Sequence, residues 1–245
     1  MPKNERISKA YIAELAKLKQ KKYRLGKELM VVEGQRLIDQ LEAFGIEPLE
    51  LFICSPELEK KQNIRTWVCS ADEMKRFCES EHPAGIAGLY PLPNPGVKSF
   101  KRALYLDRVS DPGNLGTIFR TAAALGMDAI FLSEDSCELA NPKVVRASLG
   151  AVYAIPWEIL DYEALLALEA KKVVLDMDAD TALEDHRPSL DPEIYILGSE
   201  AHGVNKVLMA RADSSLKIRM HGSMESLNLA ISTAILCYHL SLYTD

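Results

Sequence analysis

The second half of the chain alternates two patterns, and no other feature restricts its fold as strongly. Almost continuous apolar runs, ALYLDRV (103–109), DAIFLS (128–133), YAIPWEIL (153–160), KKVVLDM (171–177), EIYILGS (193–199) and SLKIRM (215–220), are separated by helical patterns near 114–125, 141–151, 161–171, 205–211 and 226–242. A strand with one wet face alternates apolar and polar residues, whereas a strand apolar throughout is buried on both faces. Such strands joined by helices predict an α/β domain built on a parallel sheet covered on both sides. In sheets of that kind, ligands gather outside the carboxyl ends of the strands.

The front of the chain reads as a smaller α/β unit. A helix through SKAYIAELAKLKQ leads to the strand ELMVVEG and to the helix GQRLIDQLEAFG, closed by Gly45. The strands LELFICS, RTWVCS and AGIAGLYPL follow, with ADEMKRFCES as a further helix. In PLPNPGVKSFKRA, Pro91, Pro93, Pro95 and Gly96 oppose regular structure. The expected organisation is a basic arm with a small domain at 1–92, a linker at 93–102 and the main domain over 103–245.

Net charge is −6, but residues 1–27 carry nine basic side chains against two acidic ones, so that segment stands at +7 and the remainder at −13. Two readings stay open for the basic segment: a solvated helix face, or a grip on phosphates beside an acidic catalytic body. No apolar run approaches the roughly 18 residues that a membrane span needs, and the first residues form no secretory signal, so a cytoplasmic protein is expected. The five cysteines are scattered and odd in number. They are expected to be reduced, and no metal site is expected.

Three loops carry polar residues at strand ends. In DPGNLGTIFRTAAALG (111–126), Pro112 and Gly113 turn the chain, Asn114 is the expected N-cap, and Leu115, Ile118, Phe119 and Ala122 form the buried stripe. Arg120 then points away from that stripe, either as an ordinary solvated arginine or as a functional group. In ILGSEAHGV (196–204), Gly198 and Gly203 allow backbone to approach a ligand, and Glu200 either serves a site or favours the following helix end. This is neither a dinucleotide-binding glycine motif nor a P-loop, so nucleotide-dependent chemistry of those kinds loses support. In the third, IRM (218–220) precedes a polar loop before Ser226 and Asn228 open the last helix. That helix has two apolar stripes, Leu227, Ile231, Ile235, Tyr238 and Leu242 against Leu229, Leu236 and Leu240. A helix apolar on opposite sides is sandwiched, here between its own sheet and, most simply, a second copy of the chain.

Taken in register, these three loops resemble the signature motifs of the SpoU/TrmH family of SPOUT RNA methyltransferases, over about 103–243. YRLGKELMVVEGQRLIDQ and HPAGIAGLYPL are similar to the L30e-like substrate-binding domain that many members carry in front. The resemblance implies a deep trefoil knot in the second domain, a homodimer through the terminal helix, and a pocket for S-adenosylmethionine. It places Gly198, Ile218 and Leu227 around that cofactor, with Leu197, Gly203 and Met220 beside them. It makes Arg120 the residue that meets the ribose hydroxyl, beside the other subunit's pocket, with Asn114, Glu200, Ser226 and Asn228 as the polar wall. A guanidinium with a pKa above about 12 suits charge stabilisation better than proton abstraction. Two positions depart from the family pattern: Arg219 stands where proline is common, and Ser199 where asparagine is common.

The implied activity is S-adenosylmethionine-dependent methylation of a ribose 2′-hydroxyl, in ribosomal RNA ahead of transfer RNA. The alternative is a non-catalytic RNA-binding or ribosome-assembly factor on the same scaffold.

Overall fold

The computed structural model describes residues 5–55, 64–94, 96–199, 202–224 and 226–243. They fall into two compact units, one of Met1–Pro93 with Leu139–Tyr153, the other of Asn94–Glu138 with Ala154–Asp245.

The first unit contains β1 (Glu5–Arg6), α1 (Lys9–Lys17), α2 (Lys21–Lys27), β2 (Leu29–Glu33), α3 (Gln35–Ala43), β3 (Glu50–Ile53), β4 (Arg65–Val68), α4 (Ala71–Phe77) and β5 (Ile86–Pro91). Its mixed sheet has the order β1-β4-β3-β5-β2, with β5 antiparallel to both neighbours. From residue 5 onward the basic segment is not an arm. α1 buries Ile12 and Leu15 in a core with Phe52, Met74 and Phe77. Arg24 is only 4% exposed and donates to the carbonyls of Leu18 and Lys19, at 3.1 and 2.8 Å, satisfying the end of α1. Glu14 pairs with both Lys17 and Lys27, while Lys9, Lys21 and Lys22 face solvent.

The second unit holds β6 (Arg102–Asp107), α5 (Pro112–Ala124) and β7 (Ala129–Leu132). The next helix, α6 (Pro142–Ala147), lies in the segment that goes with the first unit rather than with the residues around it, where Arg146 meets Glu33 at 3.2 Å. The second unit resumes with β8 (Trp157–Ile159), α7 (Tyr162–Ala167), β9 (Lys171–Leu175), β10 (Thr181–Ala182), a 3-10 turn (Leu183–Asp185), β11 (Glu193–Gly198), α8 (Lys206–Arg211), β12 (Ser214–Lys217) and α9 (Leu229–Ser241). Its seven strands pair only in parallel, in the order β10-β12-β9-β11-β6-β7-β8. The apolar runs meet the demand that a doubly covered sheet makes: Leu104, Leu106, Ile130 and Ile196 are fully buried.

On α5 the stripe Leu115, Ile118, Phe119 and Ala122 is wholly buried. Its cap is Asp111, whose Oδ1 accepts from the Asn114 amide at 2.7 Å; Asn114 is therefore inside the first turn and not the cap. Pro112 at the first helical position fixes that register. On α9, Leu229, Leu236 and Leu240 are buried, whereas Ile231, Ile235, Tyr238 and Leu242 are exposed. The two stripes thus have opposite environments within one chain.

Candidate functional site

Three neighbouring strands, β12, β9 and β11, end on the same edge of the parallel sheet, and the segments leaving them line an open cavity of about 570 Å³. Leu175, Asp176 and Met177 come from the end of β9, and residues 197–199 with Gly203 and Val204 from the end of β11. Ile218, Met220, Ser226 and Leu227 come from the connection between β12 and α9. The volume is that of an ordinary small-molecule site, and the walls are mainly apolar with a few polar groups.

The β11 wall is set by a tight backbone approach. A Cβ on Gly198 would lie 2.0 Å from the Gly203 carbonyl carbon and 2.1 Å from the Val204 nitrogen, so no side chain fits there. The Gly203 amide donates to the Ser199 carbonyl at 2.8 Å, and Gly203 itself has φ +61°, a left-handed conformation that glycine adopts freely. Ser199 Oγ is buried with no partner among the described residues, a polar atom left for a ligand.

A buried carboxylate holds this loop from below. Asp107, at the end of β6, is fully buried and accepts from Tyr162 Oη at 2.8 Å, from the Asn205 amide at 2.8 Å and from the Arg108 guanidinium at 3.1 and 3.2 Å. Arg108 also donates to the Gly203 carbonyl at 3.2 Å. Burial, and then the bond to Asp107, push the Tyr162 hydroxyl up to about 12. The Asp107 bonds push Arg108 above the usual arginine value, which favours its charged form.

All six residues expected to meet a cofactor, Leu197, Gly198, Gly203, Ile218, Met220 and Leu227, line this one cavity. Of the polar set, Ser226 lines it as well. Asn228 caps α9 and donates to Asn114 Oδ1 at 3.1 Å, joining the first and third loops. Glu200 lies outside the described residues. Arg120 is exposed on α5 and is not among the cavity's lining residues; it makes no hydrogen bond or ion pair among the described residues. α5 packs along α9, so Arg120 sits on the helix pair that carries the exposed apolar stripe. The sequence reading missed Asp107, Arg108 and Tyr162, although a charged pair closing an otherwise apolar run was the signal for the first two. It also missed Asp176 and Met177, which become site residues only through the strand order. No cluster of potential metal ligands occurs among the described residues.

Residues 101–238 match the SpoU rRNA Methylase family, and residues 9–88 match the MRM3-like substrate binding domain. The chain is 31% identical to the 23S rRNA (guanosine(2553)-2′-O)-methyltransferase RlmP of Bacillus subtilis, over 94% of this chain and 95% of the relative. It is 26% identical to the 23S rRNA (guanosine-2′-O-)-methyltransferase RlmB of Neisseria meningitidis, over 73% and 77% of the two chains. A TrmH-family protein from Porphyromonas gingivalis superposes with a TM-score of 0.83 at 29% identity, covering 95% of this chain and 97% of the other. The AdoMet-bound rRNA methyltransferase of Sinorhizobium meliloti has the same fold, with a TM-score of 0.83 at 24% identity over 96% and 95%.

Proposed function

Because the chain belongs to the SpoU rRNA Methylase family, we infer that it is an S-adenosylmethionine-dependent RNA methyltransferase acting on a ribose 2′-hydroxyl. The observation that carries the reading is the cavity at the ends of β12, β9 and β11, with its apolar walls and closely wound glycine loop. That lining suits the cofactor: Met177, Ile218, Met220 and Leu227 offer apolar surface to an adenine and the methylenes of a methionine chain, and Ser199 Oγ and backbone edges offer polar partners. When bound, S-adenosylmethionine supplies an electrophilic methyl on a sulfonium sulfur, and its transfer to oxygen leaves a neutral thioether and releases a proton.

Arg120 is proposed to orient the ribose or an adjacent phosphate and to stabilise negative charge growing on the 2′-oxygen. A guanidinium is a donor and not a base, so in this reading the proton passes to water or to a phosphate oxygen. Asn114, held by Asn228, is proposed to steady the same RNA segment, with Ser226 and Glu200 completing the polar wall.

Two features of the assembly belong to this proposal. The first is a homodimer through α9, supported by the row Ile231, Ile235, Tyr238 and Leu242 left exposed, which would bring Arg120 of one protomer to the cavity of its partner. The second is a knotted path for the end of the chain. It is supported by the return of α9 to α5 after β12, and by the position of β11 between β9 and β6. Ribosomal RNA is the proposed substrate, with the exposed lysines of α1 and α2 among its phosphate contacts. No helix among the described residues is long and apolar enough to cross a membrane, and the cytoplasm is the proposed location.

Mapping of 2′-O-methyl groups in ribosomal and transfer RNA, from cells with and without the protein, tests this reading. One ribosomal site lost with the protein is the expected result; an unchanged map in both RNAs contradicts it.

A further inference from the structure

We propose that Arg219 is a positioning residue for the cofactor: an ionic clasp that holds the cavity wall formed by Ile218 and Met220. The inference rests on reading the cavity as the cofactor site. Arg219 stands between those two lining residues, in a connection without regular structure. Its Nε lies 3.0 Å from Glu184 Oε1 and its outer nitrogen 2.9 Å from Asp185 Oδ2. Among the described residues these are the only polar contacts made by Ile218–Met224, so no other polar tie holds that stretch.

The partners meet because of sheet register. β10 pairs in parallel with β12, Ala182 opposite Lys217, and each chain then leaves the edge in the same direction. Two residues beyond that pair, the loop carries Arg219 and the 3-10 turn carries Glu184, with Asp185 next. The turn is a firm base, since Leu183 is buried and the carbonyl of His186 lies 3.0 Å from His239 Nε2 of α9. All three charged side chains are half exposed or more, at 53%, 50% and 63%. Exposed pairs of this kind are weak and salt-sensitive. The clasp therefore biases the wall toward its binding shape without locking it, and makes cofactor affinity depend on ionic strength.

The test combines hydrogen exchange over 218–224 in the cofactor-free protein with calorimetric binding of S-adenosylmethionine at low and high salt. The variants are Arg219→Ala and the double variant Glu184→Gln, Asp185→Asn. The cofactor carries a net positive charge. A direct field effect would make Arg219→Ala bind more tightly and the double variant more weakly, whereas loss of a clasp weakens both. At low salt each variant is expected to exchange faster over the loop and to bind about three- to fivefold more weakly. At high salt the wild type should fall to their level, and kcat at saturating cofactor should hold. Unchanged exchange and affinity in both variants, or opposite shifts in the two, would overturn the clasp. A wild-type protein that binds no cofactor overturns the functional reading instead, and the exchange measurement then still decides whether Arg219 tethers the loop.

Discussion

At the scale of single residues, Gly198 lines the cavity and Arg120 stands exposed outside its lining. Gly198 matters for what it lacks. The backbone of 203–204 occupies the space of its missing Cβ, so Gly198→Ala must push the two arms of the β11 loop apart. Overpacking of that sort costs about 1–3 kcal/mol, and here it also deforms the cavity wall. The expected outcome is a lowered melting temperature together with at least about a tenfold loss of cofactor affinity by calorimetry. An alanine variant with normal affinity would show that the close approach is not part of the site. The outward orientation of Arg120 was legible, because the stripe Leu115, Ile118, Phe119 and Ala122 fixes which way α5 faces. Asn114 was misplaced for a local reason. Asp111 and Asn114 are both good caps, and the proline at 112, which prefers the first helical position, decides for Asp111.

At the scale of elements, α9 is fastened at both ends by polar groups and along its length by apolar ones. Its start is capped by Asn228, while at its end Arg102 donates to the carbonyls of Leu240 and Tyr243 at 2.6 and 2.7 Å. Beneath that end lies His186, bonded to Tyr195 Oη at 3.1 Å and facing Glu193, His239, Arg187 and Arg102. Burial is the main cause that holds His186 below the usual histidine range, against the pull of Glu193. A depressed histidine favours the neutral form in the folded protein, so its contribution is fully present above about pH 6.5 and is lost as pH falls toward the lower folded value. The melting temperature should therefore drop more between neutral pH and mild acid in the wild type than in His186→Gln. Equal slopes would remove His186 from the account. The elements themselves were readable wherever periodicity was strong, as in α5 and β11. α2 was missed because its buried anchor is Arg24, a residue that hydropathy patterns count as surface. The cavity floor after β9 was hidden because the parallel order β12-β9-β11 arises from crossovers that no local pattern encodes.

At the scale of the whole molecule, the proposed active site needs two chains. Ile231, Ile235, Tyr238 and Leu242 recur at helical spacing and are 52%, 37%, 61% and 62% exposed, a stripe that water alone should not cover. Ile235→Glu with Tyr238→Glu is expected to yield monomers by sedimentation that still bind cofactor but no longer methylate RNA. Monomers as active as the wild type would place Arg120 at its own chain's cavity. The assignment of 139–153 to the first unit was beyond sequence reading, since it depends on contacts such as Tyr153 Oη to the Pro91 carbonyl, at 2.9 Å and far apart in the chain.

Transfer of a labelled methyl group from S-adenosylmethionine to ribosomal RNA, followed by alkaline hydrolysis, tests the central claim most directly. A 2′-O-methyl blocks cleavage of its own phosphodiester, so the label should remain in an alkali-resistant dinucleotide. Arg120→Ala should transfer none while binding cofactor normally. Label released in mononucleotides, or full transfer by Arg120→Ala, would contradict the account.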